Sequence, residues 1–323
     1  MMLEPRNTSI DILKGLGIVS MVAGHVPVNQ FLVHLIYVFH MPLFFFISGY
    51  LYRDKELSFK MLLEKNSKKL LFPYIFFGIC GYVLWLLEMK PSLLNDALKP
   101  LKALFWMNTE NMPIAGALWF LTAMFFLNLA YPFLFKCGIL VQGAIVSFCL
   151  IVGLFLYQGF GVRLPFALDV AFVGLFFFHV GNRYKKYEQI ICGINYFVIA
   201  FLFVCGVLGG MLNSKISMRT CDYGNSVIFL SCAVVIIVGL FRFVFWFNSA
   251  VKCRVKEYVA KIGEISIVFL CLNEIVINIM KSLFGKLLID GPIAKWCVFF
   301  CSMVLIYFFA IVVKKKFKFI IGK

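Results

Sequence analysis

The chain of 323 residues is 63% hydrophobic and 14% charged, which excludes a soluble globular domain and predicts a polytopic membrane protein. Its formal net charge of +16 does not indicate nucleic-acid binding, because the Lys and Arg residues are spread over short loops between apolar segments. The 11 Cys residues lie mostly in apolar segments, and together with the His residues they show no zinc-ligand spacing. We therefore expect neither a nucleic-acid partner nor a bound metal.

Ten apolar segments predict an all-α bundle of about ten transmembrane helices, which forms a single domain over residues 1–323. The predicted spans cover residues 10–28, 35–52, 72–89, 116–135, 138–157, 164–182, 190–210, 225–247, 262–281 and 293–313. The segment 53–71 is basic and amphipathic, and we expect it to lie along a membrane face. The segment 90–115 is the longest polar connection.

The distribution of Lys and Arg predicts the orientation of the bundle. With the N-terminus in the cytoplasm, 20 of the 31 Lys and Arg residues fall in cytoplasmic segments, 9 fall in outer loops, and Lys14 and Arg242 lie within spans. Because cytoplasmic loops are enriched in these residues, both termini are predicted to be cytoplasmic. The basic tail at residues 314–318 fits contact with anionic membrane lipids.

Two ionisable side chains, Lys14 and His25, lie within the first predicted span. Such groups are costly in a bilayer, so each marks a candidate functional site. Eleven helical residues give about 1100° of rotation and about 16 Å of rise, which puts both side chains on one face. Asp11 falls on nearly the same stripe. The alternatives are that Lys14 extends from the helix end to the lipid headgroups and that His25 is structural.

The predicted orientation puts His25 near the outer end of its span. The loop to the second span is short, so His40 returns at a similar depth, and we expect both imidazoles in one outer cavity. An imidazole that is partly shielded from water stays neutral, which suits His25 to act as a general base. His40 is either a substrate contact or a hydrogen-bonded packing residue.

For several other polar and aromatic residues, the sequence is compatible with either a structural or a functional role. Ser48 ends the second span beside a glycine that permits close helix approach. Trp119 is either another wall of the outer cavity or an interfacial anchor. Asp169, Asn273 and Glu274 lie in apolar surroundings and must find partners.

Short motifs in the first 135 residues carry a resemblance to a known family. They are Arg6–Gly15 with Gly24-His25, His40–Leu51, Lys69–Tyr74 and Leu118–Leu121. Together they resemble the integral-membrane acyltransferase 3 family, whose opening signature is an Arg or Lys, ten residues and a His. The motif sequences are most similar to those of the family branch represented by fucose 4-O-acetylases of surface saccharides.

The resemblance implies a bundle of about ten transmembrane helices in the cell inner (plasma) membrane. It also implies O-acyl transfer, usually of acetyl, from cytoplasmic acetyl-CoA to a hydroxyl of a surface polysaccharide or lipid-linked sugar. Acetyl-CoA is then a substrate and no cofactor is bound. By residue, Lys14 and His25 match the pair considered essential in the family. The chain departs from the family in having Lys14 where Arg is common and Asn273 where many relatives carry a His.

The rise of about 16 Å from Lys14 to His25 resembles the length of an extended pantetheine arm, which leads to a hypothesis for the mechanism. The phosphates of acetyl-CoA contact Lys14 and Arg53, and Asp11 orients Lys14. The thioester reaches His25, which removes the acceptor hydroxyl proton or takes the acetyl group transiently.

His40, Ser48, Trp119 and Tyr74 are the candidate substrate contacts. The alternative function is export of a polysaccharide or lipid-linked sugar without chemistry, and release of free CoA separates the two.

Overall fold

A computed structural model of the chain describes residues 7–26, 28–54, 56–110, 112–113, 115–287 and 291–322, so Arg6 of the opening motif lies outside the described residues. The described residues contain helices and no β-strand. The α-helices are α1 (Thr8–His25), α2 (Gln30–Tyr50), α3 (Phe59–Asn66), α4 (Phe72–Met89), α5 (Leu94–Phe105), α6 (Trp119–Phe135), α7 (Ile139–Phe160), α8 (Leu168–Lys186), α9 (Glu188–Gly193), α10 (Tyr196–Leu212), α11 (Ser226–Ala250), α12 (Arg254–Glu264), α13 (Ser266–Lys286) and α14 (Gly291–Lys316).

Ten of these helices coincide with the ten predicted spans, namely α1, α2, α4, α6, α7, α8, α10, α11, α13 and α14. In the part of the chain that the structure describes, eight helical stretches are long and apolar enough to cross a membrane. The other two are α10, which is apolar but has 17 residues, and α1, which contains Asp11 and Lys14. The predicted all-α polytopic fold is confirmed.

The connections around the third span differ from the prediction. α3 continues through a π-helical turn at Ser67–Leu71 into α4, so Phe59–Met89 is one helical run of 31 residues. Pro73 at the start of α4 has no N–H to donate and crowds the preceding turn, which explains the local widening. Most of the segment 53–71, from Phe59 onward, therefore belongs to the same helical run as the third span.

Glycine lets α2 and α8 pack backbone against backbone. A Cβ atom on Gly49 would collide with the carbonyl oxygen of Phe178, and one on Gly181 would collide with that of Phe46. This reciprocal contact holds α2 against α8 without side chains between them, as the small residue after Ser48 predicts.

α1 lies in the interior of the bundle, in contact with α2, α11, α12 and α13. Its start is tied to α11, because Asn248 donates a hydrogen bond to the Ser9 hydroxyl at 3.0 Å. The first half of α1 shares a hydrophobic cluster with the second half of α2, including Leu13 and Ile47. Lys14 and Arg53 therefore lie toward one end of the bundle, and His25 lies toward the other.

Candidate functional site

A cavity of about 1130 Å³ opens at the end of the bundle where α1 ends. Its walls are formed by the end of α1, the first half of α2, the start of α6 with its preceding loop, the loop between α10 and α11, and α13. The cavity is lined by several ionisable side chains, which are His25, His34, Tyr37, His40, Glu110, Lys215, Arg219, Glu274 and Lys281.

His25 and Glu274 lie beside each other in the wall of this cavity. The Nδ1 atom of His25 lies 3.7 Å from Oε1 of Glu274. The other carboxylate oxygen accepts a hydrogen bond from the Gly116 backbone N–H at 2.6 Å, which fixes the carboxylate. A carboxylate beside Nδ1 favours a proton on that nitrogen and leaves a lone pair on Nε2, an arrangement suited to general-base chemistry.

His40 lines the same cavity and is 6% exposed. Its Nδ1 donates a hydrogen bond to the Ile36 carbonyl at 2.7 Å. A carbonyl can only accept, so the proton sits on Nδ1 and the Nε2 atom of the neutral ring is an acceptor. The edge of the ring packs against Tyr37 with a centroid distance of 5.1 Å. The shared cavity of His25 and His40 is confirmed, and their roles stay predictions.

A buried ion pair links the loop before α8 to the first turn of α8. Arg163 Nε donates to Asp169 at 2.6 Å, and these side chains are only 5% and 0% exposed. The same guanidinium donates to the Arg219 carbonyl at 2.9 Å and lies 3.8 Å from Glu110. Burial and the neighbouring Asp169 carboxylate raise the pKa of the Cys221 thiol to about 12, so this Cys is an inert packing residue.

Arg219 lines the cavity from the loop between α10 and α11. Its guanidinium is held by backbone carbonyls of the loop that precedes α6. Its Nε donates to the Thr109 carbonyl at 2.9 Å, and Nη2 donates to the Met112 carbonyl at 3.5 Å. The guanidinium lies against Gly116, where a Cβ atom would collide with Nη1. Gly116 therefore contacts both residues, because its N–H donates to the Glu274 carboxylate and its Cα lies against the Arg219 guanidinium.

The structure brings only some of the predicted site residues to this cavity. Trp119 and His40 line it together with His25. Ser48 instead donates to the Phe44 carbonyl within α2 at 2.8 Å, and Tyr74 donates to the Leu104 carbonyl. Neither residue is part of the cavity wall, so their predicted substrate contacts are not made in this cavity.

Asp11, Lys14 and Arg53 are also away from the cavity wall. Asp11 is 5% exposed, and its carbonyl lies so close to Gly263 that a Cβ there would collide with it. Lys14 is half-buried about three helical turns before His25. The separation of Lys14 from His25 is the one that the spacing predicts.

The sequence did not predict the partnership of Glu274 with His25 or the cavity position of Arg219. Glu274 stood out only as a carboxylate within an apolar span. In the sequence, Arg219 and Lys215 are recognisable only as basic residues of a predicted outer loop, where the positive-inside rule expects few Lys and Arg residues. Across the described residues, no group of three or more His, Cys, Asp and Glu side chains could hold a metal ion.

Comparison with known protein families gives a match over most of the chain. A family model described as an acyltransferase domain, that of the acyltransferase 3 family, matches residues 7–314 and so includes the whole lining of the cavity. Comparisons with curated proteins and with solved structures gave no match. The chain therefore belongs to the acyltransferase 3 family and is a multi-pass membrane acyltransferase.

Proposed function

We propose that this protein is an O-acetyltransferase of the inner (plasma) membrane. It moves an acetyl group from cytoplasmic acetyl-CoA to a hydroxyl of a surface polysaccharide or lipid-linked sugar. The observation that supports this most is the His25–Glu274 pair in the wall of the cavity, at an atom separation of 3.7 Å. At about 1130 Å³ the cavity is larger than most small-molecule sites, so it has room for a sugar and a thioester together.

In the proposed reaction His25 acts through Nε2. This nitrogen takes the proton of the acceptor hydroxyl while the hydroxyl oxygen forms a bond to the thioester carbonyl carbon. The carbon–sulfur bond then breaks, and the leaving CoA thiolate takes the proton from the imidazolium. The products are an acetate ester and free CoA, and Glu274 stabilises the imidazolium between the two proton transfers. If His25 takes the acetyl group transiently, the same nitrogen is the nucleophile.

The donor is proposed to approach from the opposite end of α1. Lys14 and Arg53 lie toward that end and supply positive charge for the CoA phosphates. Lys14 offers a point charge without the planar fork of Arg, so it contacts a phosphate without bidentate geometry. The pantetheine arm then covers the rise of about 16 Å from Lys14 to His25.

The acceptor is proposed to bind in the cavity. His40 can accept a hydrogen bond from a sugar hydroxyl through Nε2. Trp119 offers an aromatic surface for the apolar face of a sugar ring. Both side chains belong to the cavity wall.

Acceptor-dependent release of CoA tests this function. Purified full-length protein is mixed with acetyl-CoA and an extract of the host's lipid-linked sugars, and free CoA is measured with a thiol reagent. We expect CoA release that needs the acceptor and matches the ester formed. An exporter without chemistry would release no CoA above the acceptor-free control.

A further inference from the structure

Three cations in the cavity wall have no part in the proposed acetyl transfer. Lys215 and Arg219 come from the loop between α10 and α11, and Lys281 comes from α13. Within the described ranges, none of the three forms an ion pair with a carboxylate. Positive charge lining a concave site attracts an anionic ligand.

The carboxylates of the cavity are engaged elsewhere. Glu110 lies 3.8 Å from Arg163, which is outside the cavity wall. Glu274 is held by the Gly116 N–H and faces His25. The three cations therefore outnumber the two carboxylates of the cavity wall. Lys281 also donates a hydrogen bond to the His25 carbonyl at 3.2 Å and interacts electrostatically with Glu274. Lys215 and Arg219 are therefore the cations that remain for a ligand.

Arg219 is the member of this group whose position is fixed. Two of its guanidinium nitrogens are bonded to backbone carbonyls of Thr109 and Met112. Its Nη1 lies against Gly116 and has no hydrogen-bond partner among the residues that the structure describes. A guanidinium held in this way binds an oxyanion with little loss of side-chain freedom.

The charge of Arg219 acts at the reaction centre. Arg219 and Lys281 both interact electrostatically with His25, and Arg219 also interacts with Tyr37 on α2. The geometry agrees, because Gly116 lies against Nη1 of Arg219 and donates its N–H to the Glu274 carboxylate beside His25. An anionic group bound by Arg219 would therefore occupy the same part of the cavity as the His25–Glu274 pair.

We propose that the acceptor carries a phosphate or carboxylate group next to the reacting sugar and that Arg219 binds this group. This inference rests on the proposed function only in taking the cavity as the acceptor site. It narrows the acceptor class from any sugar hydroxyl to acidic or phosphate-linked sugars.

Equilibrium binding to the detergent-solubilised full chain tests the inference without acetyl-CoA. The probes are glucose 1-phosphate and glucose, which differ only in the phosphate. We expect wild-type protein to bind glucose 1-phosphate at least about tenfold more tightly, the size of one charge-assisted hydrogen bond. The preference should weaken as salt is raised, because exposed charges are screened.

The variant Arg219→Gln should lose most of this preference, and Arg219→Lys should keep part of it. Arg242→Gln is the matched control. Arg242 is a second guanidinium that is bonded to a backbone carbonyl, that of Ile194 at 3.3 Å, and it lies outside this cavity. Thermal unfolding of each variant checks that the fold is retained.

Equal affinity for the two sugars, no binding of either, or an unchanged preference in Arg219→Gln would overturn the inference. The donor, CoA, is the other source of an anionic group. Adenosine 3′,5′-bisphosphate, which is the phosphorylated end of CoA, is the probe for it. If it displaces glucose 1-phosphate and loses affinity in Arg219→Gln, the site belongs to the donor and the inference is wrong. CoA release stays a separate readout, so failure of the proposed function is recognised independently.

Discussion

His25 on α1 and Glu274 on α13 place Nδ1 and Oε1 3.7 Å apart in the wall of one cavity. The distance is within ion-pair range and longer than a hydrogen bond. Because the Gly116 N–H holds the other carboxylate oxygen at 2.6 Å, the carboxylate is already oriented toward the imidazole. In the proposed reaction His25 is the general base, and Glu274 is its positioning residue.

Replacing Glu274 tests this partnership. Glu274→Gln keeps an oxygen for the Gly116 N–H but removes the charge that stabilises the imidazolium. We expect kcat to fall about 10- to 100-fold with KM for both substrates changed much less, because general acid–base catalysis as a whole contributes about 10²–10⁴-fold. The readout is steady-state CoA release.

The control for this variant is Glu264→Gln, which removes a carboxylate paired with Lys314 outside the cavity. Its kcat should stay near that of the wild type. Equal loss in both variants would mean that Glu274 acts only through the stability of the fold.

Lys14→Ala tests the donor end of α1. If Lys14 contacts the CoA phosphates, its loss raises KM for acetyl-CoA by about tenfold, the usual effect of one charge-assisted hydrogen bond, and Lys14→Arg restores the affinity. The measurement is initial rate against acetyl-CoA concentration at saturating acceptor. An unchanged KM in Lys14→Ala would favour the alternative in which Lys14 only extends to the lipid headgroups.

Asp169→Asn tests the buried ion pair between Arg163 and Asp169. The change removes the closest and fully buried anionic partner of the Arg163 guanidinium and leaves only the half-exposed Glu110 at 3.8 Å. Breaking a buried pair in this way costs about 3–5 kcal/mol. Thermal unfolding in detergent should therefore show a clear fall in Tm. The matched control is Asp96→Asn, because Asp96 pairs with Lys99 on the surface at 48% and 68% exposure. That variant should change stability by less than about 1 kcal/mol, and a similar loss in both would contradict this assignment.

The orientation of the bundle is tested with reporters fused to the C-terminus of the full chain. A cytoplasmic C-terminus, predicted from the excess of Lys and Arg on that side, gives a fluorescent green-fluorescent-protein fusion and an inactive alkaline-phosphatase fusion. The opposite pair of results would put the cavity of His25 on the cytoplasmic side. The donor would then not need to pass along α1.

The sequence predicts the helices and part of the site because these depend on local features. Long apolar segments determine ten helices, and the short loop between α1 and α2 determines that His25 and His40 share a cavity. Pairing of His25 with Glu274 depends on packing between α1 and α13, which no local pattern encodes.

The position of Arg219 could not be predicted for a different reason. It is fixed by hydrogen bonds to loop carbonyls of Thr109 and Met112, and irregular loops carry no periodic signal. The π-helical turn at Ser67–Leu71 could not be predicted either. A proline that follows an apolar run is compatible with a helix boundary as well as with a widened helical turn.

The most direct test of the account is NMR of surface polysaccharide from cells that carry the wild-type gene, a deletion, His25→Ala or His179→Asn. His179 bonds to Tyr131 at 3.2 Å outside the cavity, so its variant controls for loss of an imidazole. We predict acetyl ester signals in the wild-type and His179→Asn samples and none in the deletion or in well-expressed His25→Ala. Acetylation that persists in His25→Ala would contradict the central role of His25.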